Sequence, residues 1–110
     1  MSDVINAHYI DEHRHKREYA KKKIRKLAPT HLDILEALNE AGAWRSSEAL
    51  EEPVTKKRFA RGGKRKVKQS QISGRLSELG RIGLVEVDED EWIWRITEKG
   101  KRALELRRMP

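Results

Sequence analysis

The run from Gln69 to Ile96 constrains the fold more than any other part of the chain, because its hydrophobic spacing changes once along its length. Ile72, Leu76 and Leu79 follow the i, i+4, i+7 rule, which puts them on one side of a short helix facing a core. Gly80 begins the end of that helix and Gly83 reinforces the break. Leu84, Val85 and Val87 then read as a strand, and Asp88, Glu89, Asp90 and Glu91 as a turn. Trp92, Ile93, Trp94 and Ile96 read as the returning strand.

Short helices flank this unit. Pro29 or Thr30 opens one, with the apolar stripe Leu32, Ile34, Leu35, Leu38 and Ala41 and a stop at Gly42. Trp44 and Arg45 fit a very short strand. Ser46 or Ser47 caps a helix over 47–51, with Ala49 and Leu50 facing inward, and Pro53 is expected to stop it. Val54–Lys68 lacks a helical pattern. Its central Gly62-Gly63 pair, between VTKKRFAR and KRKVK, suggests either a β-hairpin or a disordered basic loop, with Phe59 and Val67 as the residues that could pin it to the body. Ser70 is expected to cap the helix that follows. Thr97 caps the last one, over 98–108, with Ala103, Leu104 and Leu106 inward. Residues 9–27 read as a basic helix or a solvated tail. The expected class is mainly α with a small antiparallel β-hairpin: a basic N-terminal helix or tail over 1–28, and one domain over 29–110 with a basic insertion at 53–68.

Charge is concentrated. Between Pro53 and Arg81 stand ten Lys or Arg against the single acid Glu78, a local +9, while the whole chain is +7. The positive excess therefore belongs to one segment, and a sequence pI near 9.9 favours a polyanionic partner. Nucleic acid fits better than a membrane surface, because no basic helix with an aromatic face is evident. The absence of cysteine removes disulfides and thiolate metal sites. With no apolar run of membrane-spanning length, a cytoplasmic protein is expected, associated with the nucleoid when bound to DNA.

The order helix, short strand, helix, basic insertion, helix, hairpin, helix resembles a winged helix-turn-helix domain over about residues 29–106. QSQISGRLSELGRIGLVEV resembles its recognition helix and first wing strand. WRITEKGKRALE resembles the second wing strand and following helix of bacterial and archaeal regulators, with their Thr-x-x-Gly start, and SSEAL resembles the start of the helix before the recognition helix. The resemblance implies a sequence-specific double-stranded DNA-binding protein, a transcriptional regulator whose helix over about 69–80 enters the major groove.

A groove-reading helix needs short or hydrogen-bonding side chains facing outward. Gln71, Gly74 and Arg75 are the candidate base contacts, with Gln71 suited to adenine and Arg75 to guanine. Candidate phosphate contacts are Lys56, Lys57, Arg58, Arg61, Lys64, Arg65, Lys66, Lys68, Ser70, Ser73 and Ser77, with Lys21, Lys22 and Lys23 as additional ones. Two features depart from the family. A basic stretch of about fifteen residues stands where the turn between helices has only a few, and the wing tip carries four acids where DNA-touching wings carry Arg or Lys. The acidic tip is expected to point away from DNA or to meet a basic partner.

Trp44, Trp92 and Trp94 are expected to pack onto the body of the domain. His13 and His15 beside Asp11 and Glu12 are expected to be solvated, not to ligate a metal. No nucleophile–base pair, phosphate-binding Gly loop, cofactor motif or metal-ligand spacing points to an enzyme. Two other readings stay open. GGKRK followed by QISGRLSELGRIGLV is similar to the basic loop and helix of some small-subunit ribosomal proteins of winged-helix build, which would make structured RNA the partner. A protein–protein interaction module of a mobile element is the other. A homodimer would use the helices over 9–27 and 98–108.

Overall fold

The computed structural model describes residues 26–108. Its order is α1 (Pro29–Ala41), β1 (Arg45–Ser46), α2 (Ser47–Ala60), α3 (Gln69–Arg81), β2 (Val85–Asp88), β3 (Ile93–Ile96) and α4 (Glu98–Arg108). The chain is thus mainly helical with a small antiparallel sheet of strand order β1-β3-β2. The register pairs Arg45 with Trp94 on one side of β3, and Val85 with Ile96 and Val87 with Trp94 on the other. The helix expected over 9–27 lies outside the described residues except at its end, where Leu27 packs against the core.

Each helix contributes an apolar stripe to one core. Ile34, Leu35 and Leu38 come from α1, Leu50 and Val54 from α2, Ile72, Leu76 and Leu79 from α3, and Ala103 and Leu104 from α4. Leu84 and Val85 seal the sheet side. Leu106 and Ala49, expected inward, are exposed. Among the described residues no helix is long and apolar enough to cross a membrane.

The local stops work as their residue types require. Gly42, at φ +62, ends α1, and its N–H donates to the Leu38 carbonyl at 3.1 Å. Ser46 Oγ accepts the Ala49 N–H at 3.1 Å and so caps α2. At the end of α3 the Leu84 N–H donates to the Leu79 carbonyl at 3.0 Å and the Gly83 N–H to the Gly80 carbonyl at 3.1 Å. With Gly83 at φ +79, this is a Schellman motif. Thr97 Oγ accepts the Gly100 N–H at 3.1 Å and caps α4 as expected.

Two expectations are corrected. Pro53 does not stop α2, which runs on to Ala60 with Pro53 inside it. Proline removes the bond to the Ala49 carbonyl, and it does so at an exposed position of the helix. Burial of Leu50 and Val54 along one side holds the helix together beyond the proline. The Gly62-Gly63 pair is not the turn of a hairpin but the cap of this helix. The Gly62 N–H donates to the Phe59 carbonyl at 3.0 Å and the Gly63 N–H to the Arg58 carbonyl at 2.9 Å, with Gly62 at φ +94. Only residues 61–68 then link α2 to α3. Val67 pins them as expected, being buried and donating its N–H to the buried Thr55 Oγ at 3.1 Å. Phe59 stays half-exposed.

Lesser differences concern the caps and the hairpin. Lys68, not Ser70, precedes α3, and its N–H donates to the Gln71 Oε1 at 3.1 Å. Trp92 belongs to the turn. It adopts φ +54, donates its N–H to the Asp88 carbonyl at 2.7 Å and is 65% exposed, so it does not pack on the body. Trp94 does pack against the core. Trp44 is half-buried under the Arg95 guanidinium, which lies 4.6 Å from its ring centroid and also pairs with Glu86.

Candidate nucleic-acid interface

The basic segment divides by what its side chains touch. Two of the four cations of its first half, at the end of α2, are answered by acids of α1. Lys57 lies 2.6 Å from Glu40 and 3.7 Å from Glu36, and is only 19% exposed. Arg61 grips the buried Asp33, with Nε at 3.1 Å from Oδ1 and Nη2 on Oδ2. The Asp33 hydrogen bond raises the Arg61 pKa above its ordinary value against the opposing effect of burial. Lys56 forms a loose i, i+4 pair with Glu52 at 3.8 Å. Arg58 is half-buried, and its Nη2 reaches only the Thr30 hydroxyl, at 3.4 Å.

The second half is different. Lys64, Arg65, Lys66 and Lys68 are all exposed, and among the described residues none has an acidic partner. These four cations lead directly into the N-terminus of α3, whose unbonded N–H groups already favour negative charge. Among the expected contacts on α3, Ser70, Gln71, Gly74 and Ser77 are exposed, and Ser73 and Arg75 are half-buried. A Cβ placed on Gly74 would meet nothing within 4 Å, so this side of α3 is open to close approach. Gln71 is committed in part to the helix cap. Lys21, Lys22 and Lys23 lie outside the described residues.

Arg75 is tethered. Its Nη1 lies 3.3 Å from both carboxylate oxygens of Glu78. Glu78 is held in turn by His31 Nε2 at 2.6 Å. His31, buried on α1, accepts the Ala28 N–H on Nδ1 at 3.0 Å, so Nε2 is the nitrogen that carries the proton and donates. The His31 bond, followed by Arg75, holds the Glu78 carboxyl below its ordinary range. Thr30, His31, Asp33 and Glu78 were not expected at the site. Nothing in the local sequence marks them, because they reach it through the packing of α1 on α2 and α3.

Two clefts border this region. One, of about 250 Å³, lies where the start of α1, the end of α2 and α3 meet, between Thr30, Arg58, Ser70, Gly74 and Arg75. The other, of about 360 Å³, lies between α2 and the loop that leads to α3, lined by Lys56, Phe59, Lys66 and Val67 with Glu51 and Glu52 on its α2 side. The hairpin turn carries Glu89, Asp90 and Glu91 exposed, with the Asp90 N–H on the Asp88 carboxylate at 3.0 Å. Among the described residues no group of three His, Cys, Asp or Glu is placed to hold a metal ion.

No protein-family model matches the chain, and comparison with curated proteins and with solved structures gives no significant match. The fold and the interface define a structural class: a small α+β domain with a cationic loop delivered to the start of a polar-faced helix.

Proposed function

We propose that this domain is a winged helix-turn-helix protein that binds double-stranded DNA, and that it acts as a sequence-specific transcriptional regulator. The observation that carries the reading is the exposed run Lys64, Arg65, Lys66 and Lys68, without an acidic partner among the described residues, feeding a helix whose outer side is Gln, Ser and Gly. The strand order β1-β3-β2, with three helices before the β2–β3 hairpin, supports the winged build. In this reading α3 enters the major groove with Gln71, Gly74 and Arg75 toward the base edges. The loop then lies on phosphates, where it supplies affinity without sequence choice. The neutralised Lys57 and Arg61 contribute structure more than binding, and the acidic turn faces away from the DNA.

The test is a selection of bound sequences from random duplex DNA at two salt concentrations, with structured RNA as competitor. The expected result is a defined motif, displaced poorly by RNA. Six phosphate contacts would give a log–log salt slope of about −5. A flat slope, or preferential capture by RNA, would overturn the reading.

A further inference from the structure

We infer that the cleft between α1, α2 and α3 is a phosphate-binding site centred on Arg58, filled by a phosphodiester of the bound nucleic acid. The inference deepens the DNA-binding reading and rests on it. Three cations stand close together near the end of α2, and α1 treats them differently. Lys57 is answered by Glu36 and Glu40, and Arg61 by Asp33. Arg58, between them in sequence and also half-buried, has no carboxylate partner among the described residues and makes one long bond to a hydroxyl. A partly desolvated guanidinium with most of its N–H donors unused is suited to a planar, two-pronged grip on an oxyanion.

The surroundings favour the same ligand. The Thr30 hydroxyl from α1 and the Ser70 hydroxyl from α3 line the cleft as further donors, and Arg75 adds a second guanidinium. The one carboxylate lining it, Glu78, is already engaged by His31 and Arg75. Gly74 leaves the α3 wall bare, with nothing within 4 Å of where a Cβ would stand. The Arg58 stem is itself placed by the helix cap: a Cβ on Gly63 would lie 2.4 Å from Arg58 Cγ, so only glycine lets that stem cross the turn. Arg75 therefore serves a phosphate as well as the base edge proposed for it.

The test compares the full chain with its Arg58→Gln, Arg58→Lys and Arg102→Gln variants. Duplex affinity is measured against salt, and amide chemical shifts are followed while inorganic phosphate is added. Arg58→Gln should weaken selected and scrambled duplexes alike, by about tenfold, and should make the salt slope shallower by about 0.9. Arg58→Lys should keep most of the slope, and Arg102→Gln, on the exposed side of α4, all of it. Phosphate should shift the amides of Thr30, Ser70 and Gly74 in the parent and not in Arg58→Gln. Phosphate shifts with an unchanged duplex slope would assign the cleft to a free phosphate compound and overturn its use on the duplex. Neither effect, with duplex binding intact, would overturn the site and leave the function standing. Phosphate shifts without any duplex binding would remove the function and keep the site.

Discussion

Gly100→Ala should be among the most damaging single-methyl changes in the domain. A Cβ at this position would stand 2.2 Å from the Leu84 carbonyl oxygen and 2.6 Å from Ile96 Cγ1. To reach van der Waals contact, α4 or the Leu84 peptide must move by about 1 Å. Neither moves freely. The same Leu84 carbonyl accepts the Thr97 N–H at 3.1 Å, and the Thr97 hydroxyl donates to the Gly83 carbonyl at 2.7 Å. Overpacking of this kind costs about 1–3 kcal/mol. A hydrogen bond lost in the shift adds about 1 kcal/mol, and improved helix propensity returns at most about 1 kcal/mol. The net expectation is a loss of about 1–3 kcal/mol, a fall in Tm of about 5–20 °C. Gly74→Ala is the control, because its Cβ meets nothing within 4 Å; it should gain about 0.5–1 kcal/mol. Thermal and urea unfolding followed by circular dichroism would measure both. If Gly100→Ala unfolded within about 0.5 kcal/mol of the parent, the account of this helix start would be wrong.

Asp33→Asn should destabilise by about 1–3 kcal/mol, because Arg61 keeps one acceptor oxygen but loses the buried charge and the second acceptor, while the half-exposed guanidinium regains only some water; urea midpoints would read it. Glu78 gives a signed pH effect. Its carboxyl is held below its ordinary value of 4.5, by His31 first and Arg75 second. Its contribution to stability is therefore complete above that value and is lost as pH falls through the lowered one. Glu78→Gln should flatten the acid limb of the stability–pH curve, and in a carboxyl titration His31→Ala should raise the Glu78 pKa more than Arg75→Ala does; the reverse order would refute the assignment. The double change Lys64→Ala and Arg65→Ala should make the duplex salt slope shallower by about 2, weakening every sequence alike. Arg75→Ala should cost about 1–3 kcal/mol at one base-pair position and relax preference there, as a repeated duplex selection would show.

Much of the local structure was legible in the chain because its signals are short-range. The i, i+4, i+7 spacing of Ile72, Leu76 and Leu79 needs no partner to put three side chains on one side of a helix. Ser46 and Thr97 cap as their hydroxyls dictate, and Gly42 supplies the left-handed residue at the end of α1. The hairpin followed from alternation about an acidic turn. The Thr97-x-x-Gly100 spacing carries no local signal of its purpose beyond a resemblance. Its reason lies in three dimensions, where the hydroxyl caps the helix and the bare Cα admits the Leu84 carbonyl.

The glycine pair was open to two readings because the same residue type satisfies more than one local geometry. A positive φ at Gly62 is demanded equally by a hairpin turn and by a helix cap, and the choice fell to the cap because Leu50 and Val54 are buried along α2. Charge likewise shows how many cations a segment has, but not which are answered. From the sequence alone came a basic segment joined to a polar-faced helix, a small hairpin and the apolar stripes that build a core. Only the tertiary structure divided that segment into neutralised and unanswered cations. Asp33 and Arg61 stand 28 positions apart, and His31 and Glu78 stand 47 apart. Pairs so distant meet only when hydrophobic burial has brought α1 against α2 and α3. That packing, not the local residue pattern, decides which charges are spent inside the molecule and which are left for a partner.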